Sequence, residues 1–265
     1  MESLTISTCQ SPNSEFICHD LAGYISNKLG IPVETRLDIP WQEREWLLDT
    51  GQIELCWICG LPYVWKADRS TPQIELLAAP VMRGARYQQR PIYFSDVVVR
   101  RDSRFERFAD LRGARWAYNE PGSHSGYNVV RYALAQHGEI EGFFSKVIAS
   151  GAHQASLQMI LNGDVDASAI DSTVLEIELA KNPQNQEKIR IIDTLGPSPI
   201  PPWVVSKRID SKLKETLREL LCEMDKDAGG RLLLKKASTQ RFVEISDCDY
   251  DPIRKMERIG RTVIL

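Results

Sequence analysis

Apolar and polar positions follow two periods along the chain, and the period switches repeatedly. "LTISTCQ" alternates with period two, as a half-buried strand does. In "SEFICHDLAGYISNKLG", Phe16, Leu21, Tyr24, Ile25 and Leu29 recur at roughly helical spacing, and Gly30 is the expected stop. "IPVETRLD" then predicts a strand, "WQEREWLLDTG" a helix stopped by Gly51, and "IELCWIC" a strand. The grammar returns further on. "ARWAYNE" reads as a strand, "GYNVVRYALAQHG" as a helix ending at Gly138, and "FFSKVIAS" as a strand. "HQASLQMILNG" is a helix stopped by Gly163, and "VDASAI" a strand. "SKLKETLRELLCEMDKDAGGRLLLKKA" reads as helix, Gly-Gly break, helix. Such alternation predicts an α/β protein with mainly parallel pairing.

Part of this grammar is a weak internal repeat. Laying 47–64 against 159–175 matches Gly51 with Gly163, Ile53 with Val165, Glu54 with Asp166 and Ile58 with Ile170. The turn in "TCQSPNSEFICHDL" then falls opposite the turn in "YNEPGSHSGYNVV". Two similar lobes are expected, each presenting strand C-termini and helix N-termini at one edge, where open α/β sheets bind ligands. "RPIYFSDVVVRRDS" and "GPSPIPPWVVSKRID" look like two crossover segments, the prolines of the second suiting an edge or hinge strand. The expected division is a discontinuous first lobe, 1–93 plus 205–265, and an inserted second lobe, 94–204, with a cleft between them.

Composition narrows the function classes. With 265 residues, 43% of them apolar, the chain can bury a sizeable core. The net charge is −3, and no Lys/Arg run suggests a phosphate-backbone surface, so nucleic acid is not an expected partner. No apolar run approaches membrane-spanning length, so direct membrane insertion is not expected. Met1-Glu2 leads straight into a strand pattern. Two compartments therefore stay open: cytoplasmic if Met1 is the native start, periplasmic or otherwise extracytoplasmic if an export signal has been removed. The six cysteines, Cys9, Cys18, Cys56, Cys59, Cys222 and Cys248, read either as buried thiols or as disulfide partners in an oxidising compartment.

The turn "PGSHSGY" carries the most chemistry. Helix N-termini leave backbone N–H groups without partners and carry partial positive charge. Ser123 is placed to cap the helix, Ser123 and Ser125 each offer a hydroxyl proton, and Gly122 and Gly126 remove side chains that would block close approach. This suits a tetrahedral oxyanion such as phosphate, phosphonate, phosphite or sulfonate; a Ser-rich cap also serves a helix with no ligand at all.

The stretch containing Tyr93-Phe94-Ser95, Asp102-Ser103, Asp110-Leu111-Arg112-Gly113 and Ser123-His124-Ser125-Gly126 resembles the phosphonate/phosphite/phosphate-binding proteins of ABC importers, the PhnD-like periplasmic binding proteins. "SGAHQASLQMILNGDVDASAIDS" is similar to the family's Gly-x-His and later Asp-bearing pattern. The resemblance implies the two-lobed type II periplasmic binding protein fold and a small oxyanion held by Ser123, His124, Ser125 and Gly126, with Tyr93 beside it. It also implies an ABC permease, or a sensor receptor, as partner. Gln154 stands where relatives that bind aminoalkyl phosphonates carry an acid, leaving Asp171 as the acidic candidate. His124 departs from the threonine common at that place; it either adds a cationic donor when protonated or points to solvent.

The remaining motifs are weaker. "CWIC" places Cys56 and Cys59 on an apparent strand, and the "GLP" after it is not expected to start a helix at once, so neither redox nor metal chemistry is expected there. Tyr63 either reaches the cleft mouth or is a half-buried core tyrosine. His153 opens a helix and either contacts the ligand or caps that helix. No catalytic triad, Walker or dinucleotide glycine pattern is present, so catalysis, cofactors and metals are not expected. The reading is a substrate-binding component of an importer. The alternatives are a cytosolic enzyme on the same fold, of the menaquinone or thiamine-precursor type, or a cytosolic ligand sensor.

Overall fold

The computed structural model describes residues 3–265, which form two compact units. The first unit runs to Ile92 and resumes over Pro199–Asp251; the second holds Tyr93–Ser198 and Pro252–Leu265. In chain order the elements of the first segment are β1 (Leu4–Thr8), α1 (Glu15–Leu29), β2 (Val33–Thr35), α2 (Trp41–Asp49), β3 (Leu55–Trp57), α3 (Gly60–Ala67) and β4 (Ile74–Met82). Next come β5 (Ile92–Arg100), β6 (Arg115–Tyr118), α4 (Val129–Gln136), β7 (Lys146–Ala149), α5 (His153–Asn162), β8 (Ala167–Asp171), α6 (Ser172–Lys181) and β9 (Ile189–Pro199). Then follow β10 (Trp203–Ser206), α7 (Ser211–Cys222), α8 (Ala228–Lys236), β11 (Thr239–Val243) and α9 (Asp251–Gly260).

The predicted stops hold for a physical reason. Gly30 and Gly163 end α1 and α5 with φ of 67° and 79°, left-handed values that side chains disfavour. The start of α3 differs from expectation: the helix begins at Gly60, directly after Cys59. Cys56 is buried on β3, while half-buried Cys59 stands at the N-cap. The strand reading of "CWIC" runs two residues past Trp57, and the helix start goes unmarked because no polar capping residue precedes "GLPYVW".

The first unit's sheet has the order β11-β4-β10-β3-β1-β2 among the described residues, and the second's has β7-β6-β8-β5-β9. Both sheets are mixed, not mainly parallel as expected. The βα repeats pair in parallel, β1 with β2 and β3, and β6 with β7 and β8. The strands that enter from elsewhere in the chain are antiparallel: β10 on β3 and β4, β11 on β4, and β5 on β8. β5 and β10 continue from the other unit with no crossover helix to reverse their direction, so the parallel rule does not bind them. β11 follows β10 through α7 and α8 and runs in the same direction as β10, so it too is antiparallel to β4. In the first core Trp57 and Trp203 stack at 5.8 Å across the β3–β10 pair. In the second, Trp116 stacks on Phe144 at 4.6 Å, with Phe108 edge-on to both.

The tail does not stay with the first unit as expected; the chain passes between the units a third time, at Asp251–Pro252. Gly260 is close enough to α4 that a Cβ there would sit 3.0 Å from the Tyr132 amide nitrogen. Arg131 Nε donates to the Val263 carbonyl at 2.9 Å, and Val263 is buried in the second core. Gly260→Val is therefore expected to destabilise the second unit by about 1–3 kcal/mol through overpacking. A urea unfolding midpoint equal to wild type would show that α9 does not press on α4.

Candidate functional site

The joint between β6 and α4 is a wide turn, His124–Asn128, that continues into α4. Asn128 N donates to the Ser123 carbonyl and Val129 N to the His124 carbonyl, each reaching five residues back. Such widened turns leave first-turn amides splayed, and they recur at functional sites. Ser123 is the N-cap: its Oγ accepts from Gly126 N at 3.0 Å. That bond uses a lone pair and leaves the Ser123 hydroxyl proton available.

Gly126 is required by its surroundings. A Cβ there would lie 1.9 Å from Asn119 Oδ1 and 3.2 Å from His153 Cε1. Ser125 is held at both ends: Ser95 Oγ donates to its carbonyl at 2.5 Å, and its Oγ is hydrogen-bonded to His153 Nε2 at 3.0 Å. Ser95 pairs in register with Asp171 across β5 and β8. The Tyr93 ring lies 6.3 Å from that of His124. The second unit thus brings together Tyr93, Ser123, His124, Ser125, Gly126 and His153, with Asp171 directly opposite Ser95 on the neighbouring strand. Tyr63 belongs to the first unit, where its hydroxyl donates to Asp247 Oδ1 at 2.6 Å and its ring packs on Tyr250 at 4.7 Å.

Burial sets the charges. His124 and His153 are pushed down to about 3 and about 4, because removing an imidazolium from water is costly. Both expectations for His124 are therefore corrected: it is neither a cation at neutral pH nor solvent-facing. Asn128 Nδ2 lies 3.1 Å from its Nδ1, and Ser198 Oγ 2.8 Å from its Nε2. Asp171 is pushed up to about 6 by desolvation, against which bonds from Thr173 and Val174 pull down. Its Oδ1 accepts from Thr173 N at 2.8 Å and Thr173 Oγ1 at 2.7 Å, so it caps α6. Asn119, Asn128, Ser95 and Ser198 were not picked out as site residues from sequence. Ser95 carried a signal, standing in the quoted Tyr93-Phe94-Ser95 strand; Ser198 lies on β9, distant in sequence from the turn. Among the described residues no cluster fit to hold a metal is present, and no helix is long and apolar enough to cross a membrane.

A family model described as the periplasmic substrate-binding protein of phosphonate ABC transporters matches residues 4–250. The chain belongs to this family. It is 25% identical over 228 residues to the probable phosphite-binding ABC transporter protein PhnD1 of Prochlorococcus marinus, covering 80% of this chain and 72% of that one. Among solved structures it is similar in fold to a binding-protein component of an ABC phosphonate transporter from Pseudomonas aeruginosa. The TM-score is 0.85 at 18% identity, over 98% of this chain and 86% of the other. The structure of PhnD1 in complex with methylphosphonate gives 0.84 at 20% identity, covering 99% of both chains. The fold is the type II periplasmic binding protein fold shared by these structures.

Two outcomes follow from the geometry. Gly126→Ala is expected to displace Asn119 or the turn and to lower stability by about 1–3 kcal/mol; a thermal midpoint within error of wild type would mean that the Asn119 contact yields freely. Stability is also expected to fall between pH 7 and pH 5. The unfolded histidines take up protons near 6.5 while the folded ones refuse them, a loss of about 2 kcal/mol each at pH 5. Asp171 works in the opposite sense, because its folded carboxyl binds a proton before the unfolded one does, returning about 1 kcal/mol at pH 5. Urea titrations at both pH values measure the net loss, and a midpoint that rises on acidification would refute buried neutral histidines.

Proposed function

We propose that the chain binds a small phosphorus oxyanion, of phosphonate, phosphite or phosphate type, at the Ser123–Gly126 turn. The observation that carries this reading is the capped turn itself. Ser123 and Ser125 are held by protein bonds in the turn that opens α4, the end of a helix where an anion is favoured. Family membership supports the class of ligand, and the relatives' names supply its chemistry. In this role the partner is an ABC permease and the working compartment is extracytoplasmic. A tetrahedral anion gains from several short charge-assisted bonds at once, which water cannot match in a buried setting.

The pair Ser125–His153 invites an enzymatic reading, since a serine hydroxyl lies 3.0 Å from an imidazole nitrogen. Binding is favoured over catalysis by two features. His153 Nδ1 is buried with no hydrogen-bond partner among the described residues, so no carboxylate orients the ring as a base. Burial also pushes the imidazole down to about 4, far below the range of an effective general base.

The test is calorimetry with methylphosphonate, phosphite, phosphate and sulfate on wild type and on the Ser123→Ala/Ser125→Ala double variant. The double variant is expected to lose about a hundredfold or more in affinity for whichever phosphorus oxyanion wild type prefers. Loss of the Ser123 cap adds about 1 kcal/mol of destabilisation without ligand. Undiminished binding by the double variant would remove the turn from the site.

A further inference from the structure

Three buried hydroxyls in this part of the second unit are hydrogen-bonded to protein nitrogens, and the third is the unexpected one. Ser198 is buried, and its Oγ lies 2.8 Å from His124 Nε2. A neutral imidazole carries one proton, so what lies on one nitrogen decides the role of the other. Asn128 Nδ2 donates to His124 Nδ1, which is therefore the bare nitrogen. The proton sits on Nε2 and is donated to Ser198 Oγ. Ser198 thus receives a hydrogen bond from the protein and keeps its own O–H for another acceptor. Ser123 shows the same arrangement, accepting from Gly126 N and keeping its proton.

The place of Ser198 is set by the backbone. Gly196, at φ 119°, adopts a conformation that side chains rarely take, and a Cβ there would sit 3.4 Å from the Tyr93 carbonyl and 3.2 Å from Ser198 N. Gly196, two residues before Ser198, thus packs on the Tyr93 backbone, and the Tyr93 ring lies 6.3 Å from that of His124, the residue between Ser123 and Ser125.

Resting on the anion-binding reading above, we propose that Ser198 is a third hydroxyl donor to the oxyanion and that Asn128 and His124 are positioning residues that fix the direction of its proton. His124 acts through Ser198 and does not grip the anion with its ring. The substrate class that fits is a tetrahedral oxyanion with oxygens to spare for three hydroxyls, as methylphosphonate and phosphite have.

The test measures affinity and proton position on the full chain. In calorimetry with methylphosphonate and phosphite, Ser198→Ala is expected to weaken binding about 10- to 100-fold, the loss of one charge-assisted bond, and Ser198→Thr to restore part of it. Long-range proton–nitrogen NMR of the wild type is expected to place the single His124 proton on Nε2. Ser198→Ala binding as wild type while Ser125→Ala loses affinity would overturn the role of Ser198 and leave the turn's role standing. A His124 proton on Nδ1 would overturn the relay whatever the affinities. If wild type binds none of the oxyanions, the anion-binding reading falls and this proposal with it. Loss of affinity in Ser198→Ala accompanied by a collapsed urea midpoint, with no rescue by Ser198→Thr, would assign Ser198 to the fold alone.

Discussion

A buried turn that is to recognise an anion must satisfy its own polar atoms without using up the protons that do the recognising. At the joint between β6 and α4, the Ser123 hydroxyl is given an N–H to accept, so its own proton stays available. Ser123 Oγ accepts a backbone N–H, while the Ser125 carbonyl, not its hydroxyl, accepts the Ser95 proton. Gly126 belongs to the same constraint, since any side chain there would strike Asn119.

Burial that gives these bonds strength also fixes the protonation states around them. It drives His124 and His153 to the neutral form and holds Asp171 up to about 6. A neutral histidine has one donor and one acceptor, which is what a directional relay needs; an imidazolium would donate at both ends and erase the direction. The proposed recognition therefore runs on neutral hydroxyls and amides arranged in advance, the kind of preorganised donor set that favours a multi-oxygen anion over water.

The second unit is built around this joint from chain segments distant in sequence. β5 supplies Tyr93 and Ser95, β9 supplies Ser198, and α9 with Val263 closes the core behind α4. The mixed pairing follows from the same route of the chain. Strands joined by helices run parallel, and strands that arrive from the other unit do not. The first unit shows the rule independently: β10, arriving from the second unit, is antiparallel to β3 and β4, while β11, joined to β10 by α7 and α8, runs in the same direction as β10.

Periodicity, glycine stops and a capping serine are local quantities, and the chain carries them openly. They were enough to place β1, α1, α5 and β8 and to single out Ser123–Gly126, because strand and helix patterns and N-cap chemistry depend on residues within a few positions of one another. Where a local signal is missing, as at α3, which begins at Gly60 with no side-chain cap, the sequence does not announce the helix. The protonation of His124, its bonds to Asn128 and Ser198, the meeting of Gly196 with Tyr93, and the docking of α9 against α4 were decided only by the tertiary structure. Each depends on desolvation or on contact between segments far apart in the chain, and neither leaves a periodic trace in sequence.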